Sequence, residues 1–414
     1  MTRGCEPPAP GRGGDGDAVA RWDAYPRGMD NPLVARMRPY GETIFSTMTA
    51  LARQHDAVNL GQGFPDTDGP PPLLLEAKRA IDAGHNQYAP GVGVADLRSA
   101  IAEHQAQRYG LDLDPASEVL VTSGATEAIS SALLALLEPG DEVVTFEPSY
   151  DSYAACTSLA GGVLRRVPLS FPDLGVDADR LAAAFSPRTK VVLLNTPHNP
   201  MGKVFTREEL TLIADLARRH DAWVISDEVY EHMTYDDAVH TPIASLPGMR
   251  ERTLTIGSAG KSFSVTGWRV GWITGPAHLV TAVSSVKQFL SFATNAPLQV
   301  AVAQALRSGP QLLTELTTSL AERRDLLVDG LASAGFGVRP PQGTYFVVAD
   351  AAPLGVTDAV SWCLDLPVSA GVVAVPVSAF CEDPAATATL VRFAFCKQTD
   401  VLQEAVRRLT AFTA

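Results

Sequence analysis

The sequence predicts an α/β fold, a sheet layered with helices and joined to a smaller α/β body. Two observations carry this. From about residue 119 to 275, apolar strand-like runs alternate with amphipathic helical stretches. Beyond Gly330 the pattern changes to three further strand-like runs closed by a single helix.

Taken in order, the first strands are expected at 118–123, 142–147, 163–169, 191–195, 223–226, 253–257 and 269–274. Helices fit between most of them. Residues 208–220 place Leu210, Ile213, Ala214 and Ala217 at helical spacing behind Thr206, a suitable N-cap. After Pro276 one long helical stretch is expected to reach Gly330. Strands at 345–349, 372–375 and 390–395 and a helix at 400–410 complete the smaller body, with the segment 40–59 packed beside it. No internal repeat is visible.

A chain of 414 residues can bury a large core. Its 46 % apolar and 19 % charged residues are those of an ordinary globular protein. The net charge of −13 argues against nucleic acid or an anionic membrane as partner, because phosphate surfaces are bound by clustered Lys and Arg. The longest aliphatic run, 133–137, is too short to span a bilayer. Residues 1–28, rich in Pro, Gly and charge without an apolar stretch, are expected to form a disordered extension and not a signal peptide. The five cysteines are scattered and form no CxxC pair, which points to a reducing, cytoplasmic setting.

The chemistry-bearing residues lie near strand ends, where ligands of open α/β sheets collect. Lys261 sits in a run of small and apolar residues from 255 to 264, with Asn199-Pro200 and Asp227-Glu228-Val229-Tyr230 ahead of it and Gly267-Trp268-Arg269 behind. A lysine bonded to the aldehyde of pyridoxal phosphate needs a carboxylate, a phenol, an amide and a phosphate cradle around it, and each has a candidate here. A lysine in a low-dielectric pocket loses its proton more easily, as a nucleophilic amine must. The segment 119–129 has the form of a strand, a glycine turn and a helix start, where backbone N–H groups would face a phosphate; alone, it is more simply a plain turn. Ser258 and Arg269 flank Lys261 and could bind the same phosphate.

Asp227 follows an apolar strand, so its carboxylate needs a cationic partner; a protonated pyridine nitrogen would serve, and so would a helix N-terminus. Asn199 also fits a turn and Tyr230 half-buried packing. Arg392 stands inside the apolar run 390–395 and requires a bidentate anion, either a substrate α-carboxylate or an internal salt bridge. Other motifs fail. Ser258 to Lys261 matches S-x-x-K without the partner motifs of acyl-enzymes, and the P-loop reading of Gly260-Lys261-Ser262 finds Thr255 where glycine is needed. The eight histidines show no metal-ligand spacing, so no metal is expected.

Together the runs 59–66, 86–88, 195–202 and 227–230, the lysine run and Arg392 resemble the class I/II pyridoxal-phosphate-dependent aminotransferases of fold type I, over roughly residues 38–413. Within that family the chain is most similar to the kynurenine and glutamine–phenylpyruvate aminotransferases, and equally to the N-succinyldiaminopimelate aminotransferases. The resemblance implies a large domain (66–310) with a mostly parallel seven-stranded sheet between helices. It also implies an arm (29–65) and a small carboxy-terminal domain (311–414), and a homodimer with shared sites.

The same resemblance gives Lys261 the role of carrying the cofactor and moving the proton at the substrate α-carbon. It sets Asp227 against the ring nitrogen and Tyr230 and Asn199 against the ring oxygen. Ala125, Thr126, Ser258 and Arg269 hold the phosphate, Tyr150 stacks on the ring, and Tyr88 reaches over from a second subunit. The substrate meets Arg392, Asn199, Gly63, Phe45 and Asn295. Phe45 stands where a tryptophan is common, and Thr294-Asn295 replace a Phe-His pair. The implied reaction transfers an amino group from an L-amino acid (glutamine, methionine, kynurenine or aromatic type) to a 2-oxo acid. N-succinyl-LL-2,6-diaminopimelate is an alternative donor, and β- or γ-elimination on a cysteine conjugate an alternative outcome.

Overall fold

A computed structural model describes residues 32–41, 43–308 and 310–413. The expected amino-terminal extension lies outside them. Seven strands form the main sheet: β1 (Val119–Thr122), β2 (Glu142–Glu147), β3 (Val163–Pro168), β4 (Thr189–Asn195), β5 (Trp223–Asp227), β6 (Thr253–Ser258) and β7 (Gly271–Thr274). Their spatial order is β1-β7-β6-β5-β4-β2-β3, and every pair is parallel except those of β7, which runs antiparallel to both neighbours. The chain between β6 and β7 turns back at the end where β6 finishes instead of crossing to the other end. Lys261 rides on that turn.

Both sheet faces are buried, and the period of two along each strand sorts the side chains between them. Val143, Val191, Leu193 and Ile225 face one core, packed on the helix Ala125–Leu136; Val144, Val192, Leu194 and Val224 face the other, packed on the helix Arg207–Arg219. Thr206 begins that second helix with a capping box: its hydroxyl accepts from the Glu209 N–H while the Glu209 carboxylate accepts from the Thr206 N–H.

A second, antiparallel sheet comprises β8 (Gly337–Val338), β9 (Phe346–Asp350), β10 (Val375–Pro376) and β11 (Leu390–Ala394), in the order β10-β11-β9-β8. Two expectations change. The stretch 276–330 is three helices, Ala277–Lys287, Ala296–Arg307 and Pro310–Ser333, because Pro297 and Pro310 suit first-turn positions and not helix interiors. The strand 372–375 is split: Val372–Val373 pairs in parallel with Val58–Asn59, whereas Val375–Pro376 joins the four-stranded sheet.

Candidate active site

The carboxyl ends of β4, β5 and β6 bring Asn195, Asp227 and Ser258 side by side, Asn195 and Asp227 as register partners. Asn195 organises the turn above the sheet. Its Nδ2 donates to the Asp227 carbonyl at 2.8 Å, and its Oδ1 accepts the Asn199 N–H at 2.7 Å. Asp227 is buried, receives the Tyr153 hydroxyl at 2.6 Å, and has its pKa pushed up to about 6 by burial. No cation forms an ion pair with it among the described residues, although Lys261 lies close enough to act on its charge.

Lys261 is carried by the short helix Ala259–Ser262 that starts where β6 ends. Its Nζ donates to the Tyr345 hydroxyl at 2.6 Å and reaches the Gly63 carbonyl at 3.5 Å. Burial lowers its pKa to about 8; Arg392 and Arg269 act in the same direction and Asp227 against them. The side chain is therefore an amine readily freed of its proton.

Beside it, Gly124 takes a left-handed conformation, φ +82°, immediately before the helix Ala125–Leu136. A Cβ there would lie 2.7 Å from Arg269 Nη2, so the guanidinium rests directly against this glycine. Helix N-terminus, Thr126, Ser258 and Arg269 make a concave, positive corner open to the cavity, suited to an anion.

Arg392 comes from β11, between Val348 of β9 and Val375 of β10, and is 2 % exposed. Nη1 donates to Asn199 Oδ1 and Nη2 to the Gly61 carbonyl, each at 3.0 Å, while Nε has no partner. Phe346, Phe380 and Phe45 pack around the guanidinium with centroids at 4.0, 4.7 and 5.4 Å. Burial lowers its pKa to about 10, which leaves it charged at neutral pH. Among the described residues it has no ion pair, so the internal salt bridge open on sequence grounds is not formed.

These groups enclose one cavity of about 250 Å³. It brings together Lys261, Asp227, Tyr230, Asn199, Tyr150 and Ser258 with Ala125, Thr126 and Arg269, and, towards the smaller sheet, Phe45, Gly63 and Arg392. Tyr88 and Asn295 lie outside it, in a neighbouring depression that shares Arg269. Sequence reasoning missed Tyr345, Phe346 and Gln62. The trace of the first two was Gly343 just ahead of them, whose Cβ would meet Pro197 at 2.6 Å and which brings their loop against the 195–200 turn.

The family model for aminotransferase class I and II matches residues 55–409. This chain belongs to that family. As an aminotransferase it is 50 % identical over 388 residues to a probable N-succinyldiaminopimelate aminotransferase of Mycobacterium tuberculosis, covering 91 % of this chain and 98 % of that one. It is 41 % identical over 382 residues to the methionine aminotransferase of Escherichia coli K12, covering 92 % and 99 %. A solved structure of the M. tuberculosis N-succinyldiaminopimelate aminotransferase superposes with a TM-score of 0.90, over 92 % of this chain and 100 % of that one. The aminotransferase thus transfers an amino group between amino and oxo acids on the α/β fold of its relatives. No helix among its described residues is long and apolar enough to cross a membrane.

Proposed function

We propose that the cavity holds pyridoxal 5′-phosphate and that the enzyme takes its amino group from an L-amino acid of the glutamine, methionine, kynurenine or aromatic type. The observation that carries this is that Lys261 and Arg392 open onto the same cavity, one an amine of lowered pKa, the other a buried guanidinium with an unpaired Nε. The residues fit the cofactor. The Gly124–Arg269 corner suits its phosphate, and Asp227, buried without a paired cation, suits a protonated ring nitrogen. When bound, the group supplies an electron sink for charge left on the substrate α-carbon.

The chain does the rest. Arg392 would clamp the α-carboxylate by its free edge, fixing which bond stands over the ring. Lys261 would take the proton from the α-carbon and return it on the cofactor side. Tyr230 and Asn199 would hold the ring oxygen, Tyr150 one ring face, and Ala125, Thr126, Ser258 and Arg269 the phosphate. This reading assigns residues 66–310 to a large cofactor-binding domain and 29–65 with 311–414 to a smaller one. It also makes the enzyme a homodimer in a reducing cytoplasm, with Tyr88 and Asn295 serving the partner's site. In support, Tyr88 is 88 % exposed and the ring packed edge-on to it, Phe292, 50 % exposed, and the four described cysteines are unbridged.

The side-chain end of the cavity is lined by Phe45, Gln62 and Asp151, and its cations are Lys261, Arg269 and Arg392, each with a role already. That favours uncharged side chains. N-succinyl-LL-2,6-diaminopimelate is the second reading, favoured by the M. tuberculosis relative. Steady-state rates over a donor panel with 2-oxoglutarate separate the two: activity confined to the succinylated diamine overturns the first. Pyruvate and ammonia released from a cysteine conjugate without any acceptor would reveal elimination.

A further inference from the structure

Outside the cavity, three metal-binding side chains converge. His104 projects from the helix Ala95–Tyr109, and Glu231 and His232 from the loop after β5. His104 Nε2 lies 3.1 Å from His232 Nε2 and 3.5 Å from Glu231 Oε2, and His232 Nε2 lies 3.9 Å from the same oxygen. Glu231 and His232 are 2 % and 4 % exposed, and the His104 side chain 10 %.

Hydrogen bonding alone leaves this cluster incomplete. Two imidazole nitrogens face each other, so a single proton can lie between them. Glu231 Oε2, buried among them, makes no hydrogen bond of good geometry, with only the His104 ring at 3.5 Å and the Tyr109 hydroxyl acting on the carboxylate, a weak set of partners for a buried carboxylate oxygen. A cation at the centre would give that oxygen a direct partner. Tetrahedral zinc with bonds of about 2.0–2.2 Å separates its N and O ligands by roughly 3.3–3.5 Å, and the three observed separations bracket that range. The rest of the surroundings agree. His232 Nδ1 lies 2.8 Å from Ser262 Oγ; the tautomer with its hydrogen there uses the serine as acceptor and presents the Nε2 lone pair to the centre.

The geometry points to a site for a divalent transition-metal ion of the zinc class, held by His104 Nε2, Glu231 Oε2 and His232 Nε2 with one position left to water. It is separate from the active-site cavity and does not depend on the substrate assigned there. A bound ion would tie the helix Ala95–Tyr109 to the loop that carries Tyr230 and, through Ser262, to the helix that carries Lys261. It is a bracing site behind the catalytic groups. Sequence spacing conceals it because His104 and His232 are 128 residues apart.

The test uses tag-free, chelator-stripped holoenzyme incubated with micromolar zinc, desalted and analysed for metal by mass spectrometry. About one zinc per chain is expected, with cobalt in its place giving the visible d–d bands of a low-symmetry N/O site. His104→Ala and Glu231→Gln should each weaken zinc binding about 100-fold or more and remove the cobalt bands. His104 lies at the edge of the cluster, so its variant remains informative if the buried glutamine fails to fold. Wild-type protein that retains no zinc, or His104→Ala that retains as much as wild type, overturns the assignment.

Discussion

The phenol of Tyr345 ties Lys261 to the backbone of Gly63. It accepts from Nζ at 2.6 Å and donates to the Gly63 carbonyl at 2.5 Å, so one hydroxyl links the large body's amine to the strap of chain 61–64. Tyr345 is itself 1 % exposed, with Tyr230 edge-on at 5.3 Å. The position of the amine is thus set from outside its own helix.

Tyr345→Phe keeps the ring and deletes the bridge. Losing one hydrogen bond to a charged group costs about 1.5–3 kcal/mol, so kcat should fall roughly tenfold or more while the donor KM changes little. Steady-state kinetics at fixed pH measure this, and wild-type turnover would show that the bridge does not position the amine.

Lys261→Ala should prevent covalent capture of the cofactor altogether. Borohydride treatment followed by intact-mass measurement adds the cofactor's mass to wild type and should add nothing to the variant. An adduct on another lysine would reassign the attachment point.

The pH dependence of capture follows from two shifts of opposite chemical sense. With the Lys261 pKa lowered to about 8, the free amine falls about tenfold per pH unit below that value. Capture by cofactor-free protein should therefore accelerate as pH rises and level off above about 8. Asp227, raised to about 6, is ionised only above that pH, so affinity for a ring bearing a positive charge should drop as pH falls through 6. Stopped-flow absorbance after mixing would record both; a flat profile from pH 5 to 9 contradicts the two assignments.

Arg392→Ala should lower kcat/KM for every α-amino acid donor by about 2–3 kcal/mol, roughly 30- to 150-fold, mainly through KM. Arg392→Lys should recover only part of this, because an ammonium cannot offer the planar fork. A defect restricted to one donor would remove the α-carboxylate from this residue.

Gly124→Ala places a methyl where the Arg269 guanidinium lies and in a backbone conformation that costs L residues about 1–3 kcal/mol. Cofactor affinity should drop at least about tenfold, read by equilibrium dialysis, with a lowered melting temperature. Unchanged affinity would mean that Arg269 and the helix N-terminus do not hold the phosphate.

Much of the site was legible because its parts lie at strand ends in short, chemically unusual runs. Asp227 closes an apolar strand, Lys261 follows the next one, and Arg392 is a charge among Leu, Val and Phe. Tyr345 and Phe346 were marked only indirectly, by Gly343 ahead of them, since aromatic residues at a strand start are ordinary core material. The split of 372–375 between two sheets escaped notice because four consecutive apolar residues look alike whichever neighbour they pair with.

By itself the sequence determined the alternation of strands and helices, the capping of the helix after Thr206, and which polar residues were too costly to bury without a ligand. These are local matters of periodicity, capping geometry and desolvation, each decided within a few residues of chain. The tertiary structure alone decided which of those residues meet: Arg392 against Asn199 and Gly61, Tyr345 against Lys261, and His104 against Glu231 and His232. Such meetings are set by strand order and by the docking of the smaller sheet on the larger. They depend on contacts between distant segments, for which neither spacing nor composition leaves a local mark.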